Sequence, residues 1–288
     1  MLDDPSGPAV PVTDGATAPA GPTGRNLLAA TVVGLGLGLL VLASLFLVKW
    51  LFAVLAAAAV TVAVFELAVA FGRVGIRLPV WPLGIGTVAT LAAAYLGGPP
   101  ALLAATALST LAGMAWRMLK GPAGFVRDSS AAAFVMLYLP LLAGFAMLLL
   151  RAPDGARRVL VFILVTALSD IGGLAVGTVA GRHRMAPAIS PHKSWEGLAG
   201  SVLFCVLGAA VVMPAVLGGA WWQGGLLGLA VSGAATFGDL AESIIKRDLG
   251  VKDMSRLLPG HGGMLDRLDS LLVAAPVAFA LIAVFVGA

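Results

Sequence analysis

The chain has 288 residues, of which 60% are hydrophobic and only 11% charged, with 37 glycines, a mean hydropathy of +1.02 and a formal net charge of +4. A soluble domain carries about 25% charged residues, so this composition cannot clothe a water-facing surface and points to a polytopic integral membrane protein. Soluble enzyme folds, nucleic-acid modules and disulfide-stapled secreted domains are excluded, and the basic excess reflects the gathering of Lys and Arg on the cytoplasmic side of membrane proteins.

Residues 1–26 are rich in Pro, Gly, Ala and Thr and carry one base, Arg25, against three aspartates. That stretch reads as a disordered cytoplasmic tail without a signal-peptide pattern. Hydropathy then predicts an all-α fold of about nine transmembrane helices, at about 27–48, 51–70, 79–97, 99–116, 131–150, 159–180, 198–217, 224–245 and 270–287. Residues 27–158, which hold the first five spans, look like scaffold; residues 159–288 form the expected catalytic region with two cytoplasmic motif loops. The single cysteine, Cys205, lies in an apolar run and is expected to be a packing residue. Trp221 and Trp222 fall in the short outer link between the seventh and eighth spans, where an interfacial aromatic belt belongs.

With the N-terminus inside, fourteen Lys and Arg residues fall on one side of the membrane, and Lys49, Arg151, Arg157 and Arg158 on the other. The positive-inside rule then puts the N-terminus in and the C-terminus out. Eight of the fourteen acids and all three histidines lie after residue 165. They cluster at the inner helix ends. An ion or lipid transporter would spread its acids on both sides of the midplane, and a purely structural subunit would leave a charge such as Asp239 unexplained.

Two polar segments carry the chemistry. In the eighth span, Asp239, Ser243 and Lys246 stand at i, i+4 and i+7, so an acid, a hydroxyl and a base share one stripe at the membrane boundary. Asp266 and Asp269 repeat the pattern at i and i+3 near the start of the ninth. The His261-Gly262-Gly263 turn before them offers open backbone N–H groups to phosphate. Magnesium is commonly held by one or two carboxylates plus phosphate oxygens, and Lys or Arg nearby would neutralise the remaining phosphate charge. Upstream, Asp170 sits midway along the sixth span and needs a partner. Gly173, Gly177 and Gly181 follow at four-residue spacing and make a smooth face for close helix packing. Glu66, near the inner end of the second span, reads as a helix-packing member of an ion pair.

The run Ser243-x-Ile245-Lys246-Arg247, then Lys252-Asp253-x-Ser255, then Leu258-Pro259-x-His261-Gly262-Gly263-Met264-x-Asp266-Arg267-Leu268-Asp269 resembles the C-terminal signature of the phosphatidate cytidylyltransferases, or CDP-diacylglycerol synthases. About fifteen near-fixed positions are all filled, which is far more specific than a short motif. Ser190-Pro191-His192-Lys193-Ser194-Trp195-Glu196-Gly197 resembles that family's Ser-Pro-Lys-Lys-Thr-Trp-Glu-Gly loop, with His192 and Ser194 as departures. The family's aromatic a few residues after the acid matching Asp170 is missing here. The motifs cover only the last 120 or so residues.

The resemblance implies transfer of CMP from CTP to phosphatidic acid, giving CDP-diacylglycerol and pyrophosphate, in a homodimer of the cell (inner) membrane with its site on the cytoplasmic face and no nucleic-acid partner. It implies magnesium, with a second cation as a further expectation, at Asp239 and Asp266, with Asp170 as an additional candidate ligand. It casts Ser243, Lys246, Arg247, His261 and Asp269 as catalytic. It casts Ser190, Lys193, Trp195, Glu196, Lys252, Asp253, Gly262, Gly263 and Arg267 as substrate-binding. Related CTP-dependent lipid enzymes, such as polyprenol or phytol kinases or a transferase acting on an ether-lipid phosphate, are not expected to carry the whole signature.

Overall fold

The computed structural model describes residues 24–255 and 262–287. Among them are nine helices: α1 Gly24–Leu47, α2 Lys49–Arg73, α3 Val80–Gly97, α4 Pro99–Met118, α5 Phe125–Arg151, α6 Gly155–Ala180, α7 Trp195–Leu217, α8 Trp221–Asp248 and α9 Leu265–Val286. The last eight are each long and apolar enough to cross a membrane. The protein is an all-α polytopic membrane protein, as the hydropathy pattern predicts. The predicted disordered tail lies outside the described residues except for its last three positions, which open α1.

Several helices run past the hydropathy boundaries. α5 begins at Phe125 rather than about 131, α7 at Trp195 rather than 198, and α8 continues to Asp248. Polar residues there keep the helical backbone but lower the apolar average, so a hydropathy window stops short of them. Trp221 and Trp222 accordingly lie in the first turn of α8 rather than in a link, and both are exposed. Gly98, at φ +77°, makes the one-residue turn between α3 and α4, a conformation that L residues rarely adopt. α5 and α7 each contain a π-turn, at Leu137–Leu141 and Met213–Leu217, and each π-turn holds a proline, Pro140 and Pro214. The wider turn absorbs the missing proline N–H.

The loop between α6 and α7 contains a two-stranded antiparallel hairpin, β1 Arg184–Ala186 and β2 Ser190–Ser194. The sequence reading has only a loop there. Pro187 and Pro191 and the lack of an alternating apolar pattern hide it.

α6, α7, α8 and α9 pack in succession, and α9 also leans on α2 and α5. The α6–α7 contact is built on small residues. A Cβ at Gly172 would sit 2.6 Å from the Gly200 carbonyl oxygen, and one at Gly173 would sit 2.7 Å from Ser201 Oγ. Gly177 faces Gly197 in the same seam. The Gly173 and Gly177 positions therefore do what their spacing predicts, joined by Gly172. Cys205 is buried on this seam and its thiol donates to the Val165 carbonyl at 3.3 Å.

A second anchor ties α4 and α5 to the link that follows α2. Arg117 and Asp128 are both buried and paired at 2.8 Å, and Arg117 also donates to the carbonyls of Gly121 and Ala123. The Arg77 N–H completes the Asp128 carboxylate at 3.2 Å. Arg117 thus serves the packing of the scaffold as well as its charge asymmetry.

The glycine seam leads to a direct expectation. A methyl group at position 200 would lie 2.5 Å from the Gly172 carbonyl oxygen and 2.6 Å from Val176 Cβ. Gly200→Ala must separate the helices, at a cost of about 1–3 kcal/mol. Thermal unfolding of the detergent-solubilised protein should show a clear fall in midpoint, and an unchanged midpoint would contradict the close packing.

Candidate active site

Four elements bring the polar residues of the C-terminal half to one place. The C-terminal half of α6 supplies Asp170, the hairpin supplies Lys193, α8 supplies Asp239, and the start of α9 supplies Asp266 and Asp269. Together they line a cavity of about 920 Å³. Its walls mix these charges with Arg184, His192 and Arg267 and with apolar Leu174, Met185 and Leu198.

Each element is placed by identifiable contacts. Gly238, just before Asp239, lets the backbone of α8 approach α9 so closely that a Cβ there would lie 2.4 Å from the Asp269 carbonyl oxygen. Ser270 Oγ then donates to Asp239 Oδ1 across the same contact. At the other end, Ser194 caps α7 by accepting from the Gly197 N–H at 3.1 Å, a role suited to a hydroxyl in extended backbone. Glu196 in the first turn reaches back to the N–H groups of Arg182 and His183 and lies 2.6 Å from His183 Nδ1. These two contacts clamp the base of the hairpin and aim Lys193 inward.

Two lysine–carboxylate pairs dominate the electrostatics. Lys193 Nζ pairs with Asp239 Oδ2. Lys246 Nζ bridges Glu242 at 2.6 Å and Asp266 at 2.8 Å. Asp266 also accepts from the Gly263 N–H at 2.6 Å and the Met254 N–H at 3.3 Å. Asp269 accepts from the Ser270 N–H at 2.8 Å, while Asp170 is exposed to the cavity.

Among the described residues no three His, Cys, Asp or Glu side chains are grouped closely enough to chelate a metal ion by themselves. The donor set is nevertheless all oxygen, carboxylates standing singly or in pairs beside a cavity. That suits a hard cation that takes its other ligands from phosphate and water.

The match along the chain decides its kinship. A family model described as the Cytidylyltransferase family covers residues 28–285. The chain belongs to the cytidylyltransferase family. It is similar to the phosphatidate cytidylyltransferase of Mycobacterium leprae, 40% identical over 276 residues that cover 90% of this chain and 88% of the relative. It is also 37% identical over 269 residues to the protein of that name from Mycobacterium bovis, covering 89% and 88%. A phosphatidate cytidylyltransferase of Brucella suis matches at 38% over 154 residues, about half of each chain.

In this cytidylyltransferase the signature residues divide by position. Asp170, Ser190, Lys193, Asp239, Asp266, Arg267 and Asp269 all line the cavity. Lys246 stands behind the wall, holding Asp266. Gly262 and Gly263 shape the turn before α9, where a Cβ at Gly262 would meet Asp266 Oδ2 at 2.8 Å. Ser243 does not line the cavity, so the stripe read from i, i+4, i+7 spacing splits: Asp239 lines the cavity and pairs with Lys193, while Lys246 turns to Glu242 and Asp266. Glu196 and the exposed Trp195 serve the helix start beside the cavity. Arg247 is exposed and reaches the Ile189 carbonyl at 3.4 Å, and Lys252 and Asp253 are exposed beyond the end of α8. His261 lies outside the described residues.

Sequence reasoning left out Glu242, Arg184 and Ser270. Glu242 was legible as the i−4 partner of Lys246. Ser270 follows the last signature residue without belonging to it. Lys246→Met would leave buried Glu242 and half-buried Asp266 without their shared cation, a loss of about 3 kcal/mol. Unfolding in detergent should show that loss, whereas Lys193→Ala, at a more open pair, should move the midpoint little. Equal midpoints for both variants would contradict the bridging geometry.

Proposed function

We propose that this chain transfers a cytidylyl group from CTP to phosphatidic acid, giving CDP-diacylglycerol and pyrophosphate. The observation that carries the reading is the meeting of Asp239 and Asp266, from two separate helices, at one cavity whose wall is partly charged and partly apolar. Its charged wall suits nucleotide phosphates and its apolar wall suits a lipid. The family membership supports the same reaction class.

The nucleophile is an oxygen of the lipid phosphate. A new bond forms from that oxygen to the α-phosphorus of CTP as the bond from the α-phosphorus to the bridging oxygen of the β-phosphate breaks, and pyrophosphate leaves. A phosphomonoester has its second pKa at about 6, so the attacking oxygen is mostly deprotonated at neutral pH and needs no strong general base. The residues of this chain are asked for alignment and for charge neutralisation.

Lys193, Arg184 and Arg267 face the cavity and are placed to bind phosphate oxygens. Lys246 keeps Asp266 oriented. His261 and Arg247 are assigned to phosphate contacts on the basis of the signature alone. Magnesium, held by Asp239 and Asp266 with Asp170 and Asp269 in reserve for a second cation, would neutralise charge on the nucleotide phosphates and on the leaving pyrophosphate. A homodimer in the cell membrane, with the N-terminus inside and the cavity on the cytoplasmic face, belongs to the same proposal. The orientation is supported by the crowding of Lys and Arg on the side where the cavity lies.

Purified protein supplied with CTP, phosphatidic acid and magnesium should release pyrophosphate and form CDP-diacylglycerol. Asp239→Asn and Asp266→Asn should each lower turnover by at least about a hundredfold while the protein still inserts. Free CDP with a phosphorylated alcohol as product, or near-normal turnover in both variants, would overturn the assignment.

A further inference from the structure

Glu66 lies in α2, far from the motifs in sequence, and is buried. The sequence reading pairs it with a base, but among the described residues it has no cation within ion-pair distance. Its carboxylate instead accepts three hydrogen bonds from the segment that leads into α9. Ser255 Oγ donates to Oε1 at 2.5 Å, the Met264 N–H to Oε1 at 2.9 Å and the Leu265 N–H to Oε2 at 2.9 Å.

The first turn of a helix leaves N–H groups without intrahelical partners and carries partial positive charge. α9 begins without a side-chain cap of its own: Met264 occupies that position and offers none. A carboxylate 198 residues away takes the place of the cap. Gly263 makes the approach possible, because a Cβ there would lie 2.9 Å from both Glu66 oxygens.

The turn is thus gripped on two sides. Glu66 holds Met264 and Leu265 from without, and Asp266 accepts from the Gly263 N–H from within. Asp266 and Asp269 are the acids that this turn delivers to the cavity. Ser255 lies on the far side of the same loop, so Glu66 fastens the chain both before and after it.

We propose that Glu66 is a positioning residue: by capping α9 from α2 it fixes the Gly263–Asp266 turn and so sets how well Asp266 is presented to a metal–nucleotide complex. In this respect the N-terminal helices are part of the active site. The metal side of the inference rests on the proposed cytidylyl transfer; the capping side does not.

The test uses the full-length protein in detergent or nanodiscs, as wild type, Glu66→Gln and Glu66→Ala. Hydrogen exchange of peptides spanning 262–268, measured without substrate or metal, should rise about tenfold or more in the Ala variant and less in the Gln variant, which keeps one carbonyl acceptor. The magnesium concentration for half-maximal cytidylyl transfer should rise about ten- to a hundredfold in the Ala variant, with the KM for phosphatidic acid within about twofold of wild type and Gln again intermediate. Unchanged exchange over 262–268 would overturn the capping role. Altered exchange with an unchanged magnesium requirement would overturn the coupling to Asp266. A Gln variant that is lost from the membrane, or in which all kinetic parameters fall together, would reduce Glu66 to a structural residue and overturn the proposal. If the wild type makes no CDP-diacylglycerol, the functional reading fails on its own and the exchange result still decides the cap.

Discussion

A carboxylate at the end of an apolar helix bundle has lost much of its water and must recover hydrogen bonds or countercharge within a few ångströms. The end of the bundle that holds the cavity is arranged around that requirement. Asp128 is met by Arg117 and the Arg77 N–H, Glu66 by a helix start and a serine, Asp239 by Lys193 and Ser270, and Asp266 by Lys246 and two backbone N–H groups. The first two pairings join helices of the scaffold to each other and to α9. The last two join helix ends across the cavity. Because nearly every partner comes from a different element, the acids fix the relative positions of α2, the hairpin, α8 and α9 at the same time as they form the site.

The small residues do the complementary work. Charged contacts at the cavity end tolerate little error in helix spacing, and that spacing is set deeper in the bundle. Gly172 and Gly200 bring α6 and α7 into backbone contact, and Gly238 does so for α8 and α9. Without a hydrophobic drive between helices in lipid, such close van der Waals approach is a main source of association. Asp170 is carried on one of these helices, and the hairpin with Lys193 is strung between the two that form the glycine seam. A shift of that seam would therefore move a base and an acid of the cavity together.

The legibility of this arrangement in the sequence varied with the range of the contact. Local periodicity placed Asp239 and Lys246 toward a common region and Asp266 beside Asp269, because a helix converts spacing into a face without reference to the rest of the fold. The glycine spacing of α6 was readable for the same reason. Pairings between elements left no such trace. Lys193 and Asp239 are 46 residues apart and Glu66 and Leu265 are 199 apart, and nothing in either stretch names its partner. Glu66 was read as half of an ion pair because an acid in an apolar run needs compensation. The alternative, a helix N-terminus supplied by tertiary packing, is invisible until the fold is known. The extra helical turns at the ends of α5, α7 and α8 escaped for a different reason: hydropathy reports the thickness of lipid, not the length of the helix.

The charge on the cavity wall has a further consequence for the proposed reaction. Asp170, Asp239, Asp266 and Asp269 line the wall with Arg184, Lys193 and Arg267, so acids outnumber Lys and Arg there and Lys193 is already paired with an acid. CTP and phosphatidic acid would bring several further negative charges into a space where Coulomb interactions are only partly screened. Lys193 can turn to phosphate only by leaving Asp239 without its cation, which merely transfers the deficit. A cation held at Asp239 would supply the countercharge, leaving Lys193 free for phosphate. Under the proposed reaction the Lys193 pair would keep Asp239 compensated between turnovers, while Lys246 keeps Asp266 oriented throughout.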